Sequence, residues 1–423
     1  MKVIDSAHKQ YGAARQDAGP VAASPNHAIV RYPVRCMDRS MHVHLLAGHL
    51  DRRAGSHVYH RELATRLAAR GHRVTVVGFE NDSELSAICE VKSVGPLPGP
   101  LPLLWRYHTW FKHRHCRRRL RAMRLDRPDV IVAGEHLFLP DYPRQLAGVP
   151  WIYLPHSLIL SHEIDGYQMV PAVRDAALGM YRRIQRWSLE HADRTLRFTE
   201  YGCRVLAEDH DQIVKPRFVV NPIGIDVPPS APPGEPGVAP RLLSVGSLNK
   251  NKRVDVAIRT LGELGSAPWE FDVVGDGPMR KELEGLAAEL GVSDRVRFHG
   301  HQDDPISFYQ NADLFLLTSC TESLGIVVIE AMSHGVPVIA MRADGKDFFN
   351  PNEELIEDDV DGFLANSDAH LRKRLIQLLA DTATLRSIGA EARRKVEERF
   401  TWDRHLENYE SLFETLISEH SDR

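Results

Sequence analysis

Residues 314–340 read LFLLTSCTESLGIVVIEAMSHGVPVIA. An apolar tetrad, Leu314–Leu317, opens the stretch and a second apolar group, Pro337–Ala340, closes it. A polar run and then a largely apolar segment, Gly325 to His334, lie between them. Short apolar runs bounded by turn residues suit strands covered on both faces, and a run of about ten suits a helix. Strand, helix, strand is the repeating unit of a parallel sheet.

The same alternation extends both ways. Strands are predicted at Leu242–Val245, Phe271–Val274 and Val296–Phe298, and helices at Val254–Leu264, Met279–Leu290 and Ile306–Gln310. Ahead of them, Pro228 to Pro240 holds six prolines, a composition that suits a linker and no regular element. A first set of strands precedes it: His42–Leu46, Val74–Val77, Val130–Val132, Trp151–Leu154, Thr195–Thr199 and Val219–Val220. They are joined by a loop from His49 to Ser56, a helix Val58–Arg70 and a long helix Pro171–His191. The expected organisation is an extension over 1–40, poorly ordered; an α/β domain over 41–227; the linker 228–240; a second α/β domain over 241–400; and a closing segment 401–423. Two Rossmann-like, doubly wound parallel-sheet domains place a ligand cleft between them as the default expectation.

Composition agrees. The chain has 423 residues, 43% hydrophobic and 26% charged, with a net charge of −4. Those values fit two ordinary globular cores and exclude a disordered, collagen-like or disulfide-rich chain. No run approaches the length of a transmembrane span, and the first 40 residues lack the apolar core of a signal peptide. Five scattered cysteines without a C-x-x-C pair fit a reducing compartment and argue against a zinc site. A cytoplasmic protein is expected. The charge is uneven: residues 1–225 carry 32 basic and 22 acidic side chains, so the second half is the acidic one. Two bodies with different tasks would produce this asymmetry, and so would self-association.

Glu322-Ser323-Leu324-Gly325 leads from a strand into the helix that carries Glu330. At helical spacing two glutamates eight residues apart lie about 12 Å apart along the axis and about 80° around it. Amides near Ser323, Leu324 and Gly325, at the helix start, favour an anion between the two acids. Hydroxyls at both ends and phosphate in the middle describe a nucleotide sugar. Val245-Gly246-Ser247-Leu248 ends a strand just before Lys250 and Lys252. Gly275-Asp276-Gly277-Pro278 is a second glycine turn at a strand end, with Pro278 suited to the first helical position.

These motifs, with Gly335-Val336-Pro337-Val338, the Gly55 loop, Arg70-Gly71-His72-Arg73-Val74-Thr75-Val76, Val149-Pro150 leading to His156, and Phe400-Thr401-Trp402, resemble the retaining family-4 glycosyltransferases of GT-B fold. The resemblance covers about residues 41–415 and implies a bacterial hexosyltransferase that needs no metal ion and no cofactor. It implies that Glu330 holds the ribose, that Glu322 holds donor-sugar hydroxyls, and that Lys252 neutralises the leaving phosphate. Gly246, Ser247, Gly275, Gly277, Ser323, Leu324 and Gly325 would border the donor, and Gly55 would lie near phosphate or acceptor. His156 would stand beside the transferred sugar. The family pairs its lysine with an arginine where this chain has Ser247, so Lys250 and Arg253 are candidate substitutes. It also has a Gly-Gly turn where this chain has Ala343-Asp344-Gly345-Lys346-Asp347 and an apparent insertion, Phe348 to Asn352. Asp359-Val360-Asp361 reads as a solvated turn and not as a metal site.

The expected partners are a nucleotide-sugar donor, taken as a UDP-sugar, and a hydroxyl acceptor on a glycan, a lipid-linked sugar or a small molecule. Two other readings stay open: a GT-B-fold sugar-nucleotide epimerase, which would turn over donor without acceptor, and a nucleotide-sugar-binding protein without turnover. Arg106 to Arg124 holds eight Arg/Lys and three His residues interleaved with aromatics. This reads as a surface helix with its aromatic side in the core, or as a contact to the anionic inner face of a membrane. Nucleic acid is not an expected partner.

Overall fold

The structure, a computed structural model, describes residues 39–48, 50, 55–79, 82–95, 109–134, 142, 144, 146–156, 171–210, 217–229, 239–265 and 267–422. The expected extension over 1–40 falls almost wholly outside them, as do residues 230–238 of the proline-rich segment. The chain divides into two compact units, one containing 225–401 and the other 39–224 with 402–422. The division falls ahead of the proline-rich segment, because Ile225 already pairs with Thr401 and its N–H donates to Phe400 O at 2.8 Å.

The N-terminal unit runs β1 (His42–Gly48), α1 (Gly55–Ala69), β2 (Arg73–Gly78), α2 (Ser83–Ser86), β3 (Glu90–Ser93), α3 (Thr109–Ala122), β4 (Val130–Ala133), β5 (Trp151–Tyr153), α4 (Pro171–His191), β6 (Arg194–Arg197), α5 (Glu200–Asp209) and β7 (Phe218–Val220). Its strands form one parallel sheet in the order β3-β2-β1-β4-β5-β6-β7. Central strand β4, Val-Ile-Val-Ala, is buried at all four positions, as a strand covered on both faces must be.

Several features depart from the sequence reading, the short helix α2 among them. Helix α1 starts at Gly55, so Gly55 and Ser56 belong to its first turn and not to a loop. Strand β3 was not read, because Glu-Val-Lys-Ser at a sheet edge is only half-buried and has no apolar run. Helix α5 was not read either; Thr199 caps it, its hydroxyl accepting from Gly202 N–H, and β6 ends two residues earlier than expected.

The C-terminal unit runs β8 (Arg241–Val245), a 3-10 turn at Lys250–Lys252, α6 (Val254–Gly262), β9 (Glu270–Val274), α7 (Arg280–Glu289), β10 (Val296–Gly300), α8 (Ile306–Asn311), β11 (Leu314–Leu317), α9 (Ile326–Ser333), β12 (Val338–Met341), α10 (Asn352–Leu355), β13 (Phe363–Ala365), α11 (Asp368–Leu379) and α12 (Thr382–Arg399). The parallel order is β10-β9-β8-β11-β12-β13. Strand order reverses between β8 and β11, where the carboxyl ends of two neighbouring strands diverge and leave room for a ligand. Leu242, Phe271, Val273, Leu314 and Leu316 face a core that includes Trp269, 1% exposed. Helix α7 begins at Arg280, so Pro278 sits in the turn before it and not at its first position.

The last helix, α13 (Trp402–Ser421), belongs to the N-terminal unit. It buries Trp402, Leu406, Tyr409, Phe413 and Leu416 there. Buried Glu410 accepts from Arg70 Nη1 at 2.9 Å and lies 3.2 Å from His72 Nε2. Tyr59 Oη donates to His405 Nε2 at 2.8 Å, and His405 Nδ1–H donates to Pro222 O at 2.6 Å.

Candidate functional site

The site residues fall into two groups, one in each unit. In the C-terminal unit they gather where β8 and β11 part. Ser244, Val245, Gly246, Leu248, Lys252, Thr318 and Ser319 line a recess there. Lys252 Nζ donates to Glu322 Oε1 at 2.7 Å, a half-buried ion pair with the carboxylate the less exposed partner. Glu322 Oε2 has no hydrogen-bond partner among the described residues. Ser319, 1% exposed, presents a hydroxyl that also has none.

Local chemistry fixes Lys252. Asn249 caps the 3-10 turn, its side chain accepting from Lys252 N–H, and its amide donates to Ser247 Oγ at 3.1 Å. Arg253 then adopts a left-handed conformation at φ 49°. The Thr318 hydroxyl fastens this turn to the end of β11 through the carbonyls of Lys252 and Arg253, at 2.8 and 2.9 Å. Asn251 does the same for the next loop. Its side chain donates to Thr321 O at 2.8 Å and accepts from Thr321 N–H at 2.9 Å, and its carbonyl accepts from Cys320 N–H at 2.9 Å. Neither Asn251 nor Thr318 was singled out from the sequence. Asn251, inside the Asn-Lys-Asn-Lys run, carried a usable signal, since asparagines in such turns often bind backbone.

Two expectations need correction here. Glu322 is not on the helix. Thr321 forms a bridge with Phe349, Glu322 N–H donates to Phe349 O at 3.0 Å, and Gly325 takes φ +75° before α9 begins at Ile326. Helical spacing therefore does not describe the separation of Glu322 and Glu330. Exposed Ser323 and half-buried Leu324 lie in the loop between them. Arg253 is not a spare cation: its guanidinium pairs with Asp368 at 2.7 Å and lies 5.1 Å from the Phe348 ring centroid. Lys250 is exposed and Ser247 carries no charge, so Lys252 is the cation lining the recess.

The glycines have a packing reason of their own. A Cβ on Gly275 would lie 1.9 Å from Gly246 O, and one on Gly277 would lie 2.4 Å from Leu248 O. The ends of β8 and β9 thus touch backbone to backbone, with Gly246 N–H on Val274 O and Leu248 N–H on Asp276 O, both 2.9 Å. Gly246 takes φ 152° beside the Lys252 side chain.

Glu330 projects from α9. Its Oε2 accepts from the Tyr309 hydroxyl at 2.8 Å, and burial raises its pKa while that hydrogen bond lowers it. The acidic turn also differs from expectation. Asp361 is buried and pairs with Lys395 at 2.6 Å; Asp358 and Asp359 both pair with Arg374. These carboxylates already have cations, as structural residues do. Among the described residues, no group of three His, Cys, Asp or Glu is placed to hold a metal ion.

In the N-terminal unit, His156 follows β5, with its Nε2 3.2 Å from His60 Nε2 on α1. Gly134, at the end of β4, makes room for both rings: a Cβ there would lie 2.4 Å from His60 Nε2 and 3.2 Å from His156 Nε2. Burial, then the neighbouring His60 and Arg197, hold the His156 pKa well below its ordinary value. Burial takes His60 down to about 4. Both rings are therefore neutral at pH 7. Buried Arg197, which donates to Pro155 O, stands behind them and is itself pulled down to about 10 by burial. His60 and Gly134 went unread as partners of His156, because the fold joins positions 96 and 22 residues away. Gly55 opens α1 in the same unit.

The basic stretch forms α3, with Cys116 and Leu120 buried and Arg117, Arg118, Arg119 and Arg121 exposed. Residues 106–108 lie outside the described residues. No described helix is long and apolar enough to cross a membrane.

Comparison with known proteins agrees with this architecture. The family pattern described as Glycosyltransferase Family 4 matches residues 53–228, and that described as Glycosyl transferases group 1 matches 230–395. N-acetyl-alpha-D-glucosaminyl L-malate synthase of Bacillus anthracis is 31% identical over 42% of this chain and 45% of its own length. A lipopolysaccharide core biosynthesis glycosyltransferase of Rhizobium meliloti is 34% identical over 37% of this chain and 44% of its own. The matched stretch thus spans a little under half of either relative. Among solved structures, a sucrose-phosphate synthase from Thermosynechococcus elongatus superposes with a TM-score of 0.70 at 22% identity, covering 90% of this chain and all of that one. Anabaena HepE in complex with UDP-glucose superposes with a TM-score of 0.62 at 19% identity, covering 89% of this chain and all of that one. Two parallel-sheet units and two family patterns that between them account for most of residues 53–395 place the chain among the family-4 glycosyltransferases of GT-B fold.

Proposed function

We propose that the chain transfers a hexosyl-type sugar, with retention of configuration, from a nucleoside-diphosphate sugar to a hydroxyl group. Uridine diphosphate is the carrier we favour, as in the HepE complex. The observation that carries this reading is the Lys252–Glu322 pair beside Gly246 at the strand switch, with Glu330 on the next helix. Lys252 supplies positive charge where the leaving phosphate gains negative charge, and a fixed charge in a partly dry site stabilises such a transition state strongly. Glu322 Oε2 and the free oxygen of Glu330 accept from sugar and ribose hydroxyls respectively. Ser247, Ser323, Leu324, Gly325 and the backbone at Gly246, Gly275 and Gly277 border the donor.

The bond from the anomeric carbon to the phosphate oxygen breaks, and the acceptor oxygen bonds to the same face of that carbon. The acceptor's proton passes to the departing phosphate. Neutral His156 suits a hydrogen bond to a sugar hydroxyl better than proton donation, which agrees with this assignment. Lys252 supplies the compensating charge without a metal ion. The acceptor class is a glycan, a lipid-linked sugar or a small molecule bound by the N-terminal unit, near Gly55 and His156. The outward arginines of α3 would hold that unit at an anionic membrane surface from the cytoplasmic side.

The test is a melting-temperature screen of nucleoside diphosphates and their sugars in EDTA, followed by NMR of any product. A sugar nucleotide should raise the melting temperature, and the product should keep the donor's anomeric configuration. Inversion of configuration, or no stabilisation by any sugar nucleotide, would contradict the proposal. Turnover of donor in the absence of acceptor would favour an epimerase.

A further inference from the structure

Glu330 is held asymmetrically. Its Oε2 accepts from Tyr309 at 2.8 Å, and its Oε1 has no hydrogen-bond partner among the described residues. Tyr309 comes from α8, is 2% exposed, and its ring stacks with two others. One is His334, with centroids 5.3 Å apart and planes 19° apart, and the second is Phe315 of β11, at 5.9 Å and 29°. His334 is fixed in turn, its Nδ1–H donating to Glu330 O at 2.9 Å. The phenol therefore has one place to stand and one acceptor to serve. A carboxylate on a long side chain has rotamer freedom to lose, and a locked donor removes that freedom before any ligand arrives.

We propose that Tyr309 is a positioning residue for donor recognition: by occupying Oε2 it fixes the Glu330 carboxylate and leaves Oε1 alone to read the ribose hydroxyls of the donor nucleotide. This rests on the reading of Glu330 given above and adds to it the device that makes the carboxylate selective. A single fixed acceptor discriminates between ribose and 2′-deoxyribose more sharply than a carboxylate free to rotate. The same hydrogen bond sets a pH limit. Glu330 accepts best when ionised, burial raises its pKa, and Tyr309 lowers it again. Among the described residues, the titratable groups that contact it are Tyr309 from α8, at the carboxylate, and His334, which caps the C-terminus of α9, at the backbone carbonyl. Removing the phenol hydroxyl raises the carboxyl pKa, so selectivity begins to fail at a higher pH on acidification.

The experiment measures the ratio of affinities for UDP and 2′-deoxy-UDP from pH 4.5 to 8 by calorimetry. The ratio cancels the titration of the phosphates and of Lys252. It is measured for the full chain and for its Tyr309→Phe and Glu330→Gln forms. Tyr309→Phe keeps the stacked ring, and a thermal melt checks that it folds. The expected result is a wild-type ratio of about tenfold, a drop of about threefold or more in Tyr309→Phe at neutral pH, and an acidic limb displaced to higher pH. A role confined to packing would lower the melting temperature and leave the limb where it was. If Glu330→Gln keeps the wild-type ratio, Glu330 does not read the ribose and both ideas fail. If Glu330→Gln abolishes the ratio while Tyr309→Phe reproduces the wild-type profile, or binds UDP more tightly, the positioning role alone is overturned.

Discussion

Gly275 illustrates how little slack the ends of β8 and β9 have. With φ at 133° and Gly246 O 1.9 Å from where a Cβ would stand, the contact is backbone against backbone and no side chain can yield. Gly275→Ala should destabilise the C-terminal unit by about 3 kcal/mol or more, through strain and clash together. Urea unfolding of the two proteins checks this, and an unchanged midpoint would show that the strand ends separate freely. The buried histidines make a second prediction of this kind. Burial holds His44 and His405 down to about 3 and His60 to about 4, against 6.5 in an unfolded chain. Their folded forms bind protons more weakly than their unfolded forms. The associated stability is therefore present above pH 6.5 and is lost as pH falls from there toward 4, by about 3 kcal/mol for each ring on an order-of-magnitude reckoning. Melting temperatures recorded between pH 7.5 and 4.5 should drop through this window, and a flat profile would mean that these rings reach solvent.

At the scale of elements, α13 is the piece of the N-terminal unit that the chain supplies last. Its buried Tyr409, Leu412, Phe413 and Leu416 cover apolar surface that would otherwise meet water, at about 1.5–3 kcal/mol for each large side chain. It also brings Glu410 to Arg70 and His72, and His405 to Tyr59. A chain ending at Thr401 should leave the N-terminal unit unfolded or aggregated while residues 225–401 keep their fold, a difference that limited proteolysis reads directly. A truncated protein with both units equally resistant would contradict this assignment of α13. Most of the other elements were legible. Buried parallel strands announce themselves as apolar runs, which is why β4, β5, β8, β9 and β11, with α4, α6, α7 and α8, were located within a residue or two. β13 escaped although it is buried at all three of its positions, a run of only three residues; other elements lacked the signal itself. Strand β3 is an edge of mixed polarity, and the place where α9 begins depends on a left-handed Gly325 and a bridge to Phe349 that local periodicity does not encode.

At the scale of the molecule, the charge asymmetry and the proline-rich segment pointed to two bodies, and the structure has two. The residue types of the candidate site were legible as motifs: a glycine turn, a lysine, two acids. Their supports were not. Asn251, Thr318, Tyr309, His60 and Gly134 act through contacts that exist only once distant strands are side by side. Lys252, Glu322 and Glu330 are the residues we propose to grip an activated sugar. The most direct measurement is calorimetric binding of UDP-glucose and related sugar nucleotides to the wild-type chain and to the Glu322→Ala, Glu330→Ala double variant, with transfer assayed in parallel. Binding of at least one sugar nucleotide by the wild type is expected, with a loss of about a hundredfold or more in the double variant, as two hydrogen-bonding carboxylates are removed. Equal affinity and turnover in the two proteins, or no sugar nucleotide bound by either, would contradict it.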